Sequence, residues 1–199
     1  MSDRRRKLLL TVLVVAMTVG VIGMLAGVGV LSAFSSTTSN DGNSFATGTV
    51  TIGDNDAGSA MYSVGNRKPN DSVQSCIKLT YTGTLAADVH LYTTSSFGAL
   101  GQYLDMTVEK GTFSGAPAFP SCTGFTADAG GPIFSGTLAS FASAKDSYAN
   151  GVAAFPASQT QWSQNDTLVY RFSLAVQDNN AAAGLTTGAH SFTWEAQNQ

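Results

Sequence analysis

The feature that most constrains this chain is a period-two alternation that returns in several separate segments. Residues 73–81 set Val73, Ser75, Ile77, Leu79 and Tyr81 on one side against Gln74, Cys76, Lys78 and Thr80 on the other. Residues 168–176 repeat the pattern, with Leu168, Tyr170, Phe172, Leu174 and Val176 opposed to Val169, Arg171, Ser173 and Ala175. Successive side chains of a strand point to opposite faces, so such a segment forms a strand with one face buried, not an amphipathic helix. Further segments share the period. Ala87, Val89 and Leu91 alternate with Asp88, His90 and Tyr92, and the preceding Thr82-Gly83-Thr84 predicts a hairpin with residues 73–81. Leu104, Met106 and Val108 alternate with Asp105, Thr107 and Glu109 in a strand expected to end at Gly111. In residues 190–196, Phe192, Trp194 and Ala196 oppose Ser191, Thr193 and Glu195, which assigns Trp194 to the core. Residues 44–52 are rich in β-branched side chains and lie between Gly42 and Gly53.

Short strands with turn punctuation and little helix predict an all-β fold, a jelly-roll-like antiparallel β-sandwich. The pattern weakens between Gly111 and Asp166, where Gly, Ala, Ser and Pro dominate. Long loops with one short helix over residues 137–145 are expected there, and Trp162 has no assigned role. Asn70-Asp71-Ser72 and Asn165-Asp166-Thr167 each stand just before a strong strand. They read as Asx turns that launch the strand, and they also match the N-glycosylation pattern.

A hydrophobic signal segment precedes this domain. Arg4, Arg5, Arg6 and Lys7 form a basic head, and residues 8–31 follow without a charge. Basic, then apolar, then small is the layout of a secretory signal peptide. Cleavage after Ser32 places Val30 and Ser32 where a signal peptidase accepts small residues, and the exported chain then begins at Ala33. The apolar run is also long enough to span a bilayer, so a retained anchor is the competing reading. The domain boundaries are therefore residues 1–32 for the signal and 33–199 for one β-sandwich domain, which is enough chain to bury a core. Membrane contact is expected only through residues 8–31, before cleavage.

Charged residues make up 12% of the chain, about half of a globular norm of roughly 25%. The formal net charge is −3, and it becomes more negative once the basic head is removed. An acidic surface rich in Ser, Thr, Asn and Gly does not suit nucleic acid, which requires a basic footprint. A secreted or cell-surface location follows. In an exported chain the two cysteines, Cys76 and Cys122, favour a disulfide, with two separate buried thiols as the alternative. A bridge across that separation would stabilise the fold by about 3–4 kcal/mol through chain entropy.

No catalytic constellation stands out. His90 and His190 are the only histidines; both fall in expected strands, and neither belongs to an H-E-x-x-H helix. G-x-S-x-G, the P-loop and the dinucleotide fingerprint are missing as well. Asp54-Asn55-Asp56 and Asp178-Asn179-Asn180 are oxygen-rich, but they lack the spacing of an EF-hand and read as solvated turns. The expectation is no catalytic residue, no metal and no cofactor.

Three blocks of sequence bear on family. Ala33-Phe34-Ser35-Ser36-Thr37-Thr38 is followed by Asn43-Ser44-Phe45-Ala46-Thr47-Gly48-Thr49-Val50; Asn66-Arg67-Lys68-Pro69-Asn70-Asp71 precedes a long strand; and Phe192-Thr193-Trp194-Glu195-Ala196-Gln197 closes the chain. In this order they resemble the TasA/camelysin family, whose members carry an A-F start after a signal cut by a SipW-type peptidase. The resemblance implies a jelly-roll subunit of extracellular fibres, as in a biofilm matrix. In such fibres the N-terminal strand of one subunit completes the sheet of the next, which is β-augmentation of an unpaired edge. It makes residues 34–52 the donor strand, with Phe34, Phe45, Val50 and Ile52 as the plugging side chains. It also makes the partners copies of this chain or related fibre subunits, together with the signal peptidase during export. Asn70 departs from the family's usual Gly, the middle of the chain is unmatched, and a Cys76–Cys122 bridge suggests a divergent branch. Some family members carry a metallopeptidase label, against which the missing zinc motif argues. The alternative function is a monomeric surface adhesin whose N-terminal strand pairs within its own sheet.

Overall fold

A computed structural model describes residues 47–63 and 65–198. Ser32, Ala33, Phe34 and Phe45 lie outside the described residues. A compact unit runs from Gly48 to Gln199.

The unit is an all-β sandwich with antiparallel pairing throughout. The strands are β1 (Ile52–Asp54), β2 (Ser72–Tyr81), β3 (Ala87–Tyr92), β4 (Leu104–Phe113), β5 (Phe125–Ala127), β6 (Phe134–Thr137), β7 (Val152–Ala153), β8 (Thr167–Val176) and β9 (Thr193–Asn198). The larger sheet has the order β1-β2-β8-β4-β5, with β6 also on β4, and the smaller sheet has the order β7-β3-β9. Alternation sets what each strand buries. Ile77, Leu79 and Tyr81 of β2, Leu168, Tyr170, Phe172 and Leu174 of β8, and Met106 and Val108 of β4 meet Ala87, Val89 and Leu91 of β3 in one core. Trp194 of β9 stands edge-on to Tyr170 and Phe172, with ring centroids 5.6 Å and 6.0 Å apart, so the two sheets are locked by aromatic contact.

The expected helix is α1 (Leu138–Ala144). Thr137 caps it by accepting the Ser140 amide on Oγ1 at 3.1 Å, and its apolar face buries Leu138 and Phe141. Each Asn-Asp motif stands directly before a strand, but its side-chain hydrogen bond runs backwards and is not the expected Asx turn. Asn70 and Asn165 take the left-handed conformation at φ 69° and 71°. The Asp that follows each Asn accepts a backbone amide from three residues back, Lys68 to Asp71 at 3.1 Å and Ser163 to Asp166 at 2.6 Å.

Several sequence expectations need correction. Residues 87–92 are not the hairpin partner of residues 73–81; β2 pairs with β8 and β1, and β3 pairs with β9 and β7 in the other sheet. The reason is local. Tyr81 Oη donates to Leu85 O, while the Thr84 and Leu85 amides donate to Thr49 O, so residues 82–86 carry the chain across the sandwich. Nor does Gly111 end β4, which continues to Phe113. A Cβ at Gly111 would meet the Thr126 carbonyl of β5, so this glycine permits close strand approach and does not stop the strand. Ser191 pairs by other means, its carbonyl accepting Thr93 Oγ1 at 2.6 Å, and β9 therefore begins at Thr193 and not at His190. The weakly patterned middle holds β5, β6 and β7 beside the helix.

Candidate functional site

The sheet edges are the candidate site, because an unpaired edge presents a row of main-chain donors and acceptors to another chain. β9 hydrogen-bonds to β3, in a register that puts His90 opposite Glu195 and Leu91 opposite Trp194. Its other edge pairs with no strand among the described residues. Beneath that strand lie two buried polar atoms without a hydrogen-bond partner among the described residues, Trp194 Nε1 and Tyr170 Oη. Tyr170 is fully buried, and desolvation drives its phenol well above the usual tyrosine range.

The outer face of the small sheet is polar. Glu195 accepts Gln197 Nε2 and Tyr92 Oη, each at 2.7 Å. Those two hydrogen bonds hold its carboxyl below the usual glutamate range, with His90 adding a smaller contribution. His90 donates from Nδ1 to Tyr148 O at 2.7 Å and stacks on that ring at 4.2 Å. His190 lies elsewhere. Its Nδ1 donates to Gly188 O at 3.1 Å, Tyr62 Oη donates to its Nε2 at 2.7 Å, and Phe97 and Phe192 surround it.

The residues expected to plug a neighbour are distributed differently from that expectation. Val50 and Ile52 pack against the chain's own core. Ile52 is registered with Tyr81, and the amides of Thr82 and Gly83 donate to Thr51 O at 2.9 Å and 3.2 Å. Phe34 and Phe45 lie outside the described residues. Cys76 and Cys122 form a disulfide with a Cα separation of 5.1 Å. Trp162, to which the sequence pattern assigns no role, is fully buried; its indole donates to Ala154 O at 2.7 Å and its backbone bridges Ala87.

The acidic triplets are turns. Asp54 and Asp56 accept the amides of Asp56 and Gly58, and Asn55 Oδ1 accepts the Lys78 amide at 2.8 Å. Asn179 accepts the Ala181 amide at 2.9 Å. No group of three or more His, Cys, Asp or Glu among the described residues stands close enough to hold a metal ion. With His90 and His190 each packed in a separate setting, the described residues do not fit a zinc centre. No helix among them is long and apolar enough to cross a membrane.

A family model described as camelysin metallo-endopeptidase matches residues 5–102. No curated protein matches the chain. The matched stretch ends in the turn before β4, so it takes in the N-terminal segment, β1, β2 and β3. Through that match, over just under half of its length, the chain is similar to the camelysin/TasA family.

Proposed function

We propose that this chain is an exported structural subunit of extracellular fibres, or of a biofilm matrix built from them. Subunits join when N-terminal residues of one copy add to the β9 edge of the next. The observation that carries the reading is that edge, unpaired among the described residues and underlain by Trp194 Nε1 and Tyr170 Oη. An added strand satisfies main-chain groups that water otherwise serves, and a contact that does not close on itself propagates as a filament. Because Val50 and Ile52 pack at home, the donated part is the segment before residue 47, with Phe34 and Phe45 as its anchors. Signal peptidase releases that segment by cutting between Ser32 and Ala33, and the product stays outside the cell or on its surface. The family description notwithstanding, this reading assigns the chain no enzymatic step.

The second reading is a monomeric surface adhesin, favoured by the pairing of residues 49–54 within the chain's own sheet. Electron microscopy of protein starting at Ala33, beside protein starting at Gly48, separates the two. The shorter form keeps Thr49, Val50 and Ile52 in place. Filaments from the first and monomers from the second support strand donation; monomers from both favour the adhesin. Chelator-sensitive peptidase activity that disappears on replacing His90 or His190 would overturn both.

A further inference from the structure

The larger sheet has an edge that is closed in an unusual way. On its β1 side β2 presents the hydrogen-bonding groups of Cys76 and Lys78, beyond the reach of β1, which pairs only with residues 79–81. Neither amide is taken by a strand. Cys76 N donates to Pro120 O at 2.9 Å, and Lys78 N donates to the side chain of Asn55 at 2.8 Å.

Pro120 belongs to the connection between β4 and β5, residues 114–124, and those strands lie on the far side of β8 from β2. The connection therefore crosses the outer face of the sheet to reach β2. It is held there by the Cys76–Cys122 disulfide and by Phe119, which packs against the core. At its base Arg171 sits over the Phe125 ring at 4.6 Å while pairing with Glu109. Cys76 is left 1% exposed. The chemistry of the closure also stops the ladder. Proline supplies a carbonyl to Cys76 but has no N–H to offer a further strand. Asn55 closes Lys78 with a side chain, which cannot template a strand either.

We propose that residues 114–124 are a disulfide-held edge guard that denies β2 to an added strand from a second copy of this chain. With β2 denied, an added strand is left to the other edges, β9 among them. The choice of β9 rests on the strand-donation reading; the guarding of β2 does not. Unguarded, β2 would offer a flat edge beside β8, and such edges pair with one another.

Reduction by a dithiol tests this. The reductant becomes a cyclic disulfide, and its two electrons and two protons convert the bridge into the Cys76 and Cys122 thiols. Amide exchange, particle size and tryptophan emission of the exported chain are compared with and without dithiothreitol. The expected result is exchange at Cys76 faster by at least about 10-fold, association beyond that of the oxidised protein, and unchanged emission from buried Trp162. Gln74→Pro should then abolish the extra association, because the Gln74 amide faces the guarded edge and not β8. Should that variant disturb Trp162, Gln74→Lys puts a charge at the same edge position and replaces it. Retained protection at Cys76 overturns the proposal, as does association that is absent or indifferent to the Gln74 variants. A shift in Trp162 emission on reduction also overturns it, since the segment would then be holding the core together. Fibre formation by oxidised protein does not enter the comparison, so failure here is distinct from failure of strand donation.

Discussion

Trp162 and Ala154 are joined across the turn after β7 by a buried hydrogen bond, indole Nε1 to carbonyl oxygen, at 2.7 Å. The same tryptophan exchanges both backbone hydrogen bonds with Ala87, at 2.8 Å and 3.1 Å, so it continues the small sheet where β7 stops. Trp162→Phe keeps most of the buried area but strands the Ala154 carbonyl, an expected loss of about 1–2 kcal/mol. Trp162→Ala removes the side chain and should cost about 3–5 kcal/mol. Urea unfolding midpoints order the three proteins, and a phenylalanine variant as stable as the parent would show that the hydrogen bond contributes nothing.

The crossover from β2 to β3 depends on a similarly specific contact. Tyr81 is fully buried, and its hydroxyl donates to Leu85 O. Gly83 lies so close that a Cβ there would meet the Tyr81 hydroxyl and the Thr49 carbonyl. Tyr81→Phe should cost about 1 kcal/mol for the lost hydrogen bond. Gly83→Ala should cost about 1–3 kcal/mol, since backbone must move to admit the methyl. Thermal unfolding measures both. Faster amide exchange at Thr84 and Leu85 should accompany the alanine variant, because those amides bond to Thr49 O.

The contrast between residues 73–81 and their expected partner shows how far the sequence is legible. Alternation reveals which face of a strand is buried, because side-chain direction is a local property. That is enough to place Ile77, Leu79, Tyr170 and Phe172 in the core from the pattern alone. It does not reveal the partner, which for β2 is a strand more than 80 residues later in the chain. The two-residue β7 and the three-residue β5 are too short for a period to register. Trp162 stands among Ser and Gln with no alternating neighbours, so no local signal assigns it to the core. The candidate site suffers most, since an open edge is defined by which pairings are missing. The Cys76–Cys122 pair is legible as two cysteines in an exported chain, whereas the crossing of the sheet by residues 114–124 is not.

The paired left-handed asparagines before β2 and β8 allow a comparison within one molecule. Asn70 and Asn165 both hold positive φ, at 69° and 71°. Glycine adopts that conformation freely, whereas an alanine methyl is penalised by about 1–2 kcal/mol. Asn165→Gly should thus stay within about 0.5 kcal/mol of the parent and Asn165→Ala should lose about 1 kcal/mol, with the same order at position 70. Equal stability of the two variants at either site, read by chemical denaturation, would show that the turn relaxes. Asp166→Ala should be more costly than either, because Oδ2 accepts the Ser163 amide at 2.6 Å.

Acid should weaken the small sheet first. Hydrogen bonds from Gln197 and Tyr92 hold the Glu195 carboxyl below its unfolded range, and Asn150 and Ser147 do the same for the exposed Asp146. A carboxyl depressed in the fold binds fewer protons there than in the unfolded chain. Its contribution is complete above the unfolded value, near 4.3 for glutamate, and is lost as pH falls through the depressed value. Asp54 works in the opposite sense. Partial burial raises its carboxyl in the fold, so it adds stability at low pH and gives it up as pH rises through the raised value. Urea midpoints followed by tryptophan emission from pH 6 to pH 3 should therefore fall below about pH 4. Glu195→Gln should flatten that fall, and Asp54→Asn should steepen it by removing the compensating group. The two variants moving in the same direction would mean that the acid response arises in neither the β9 face nor the turn after β1.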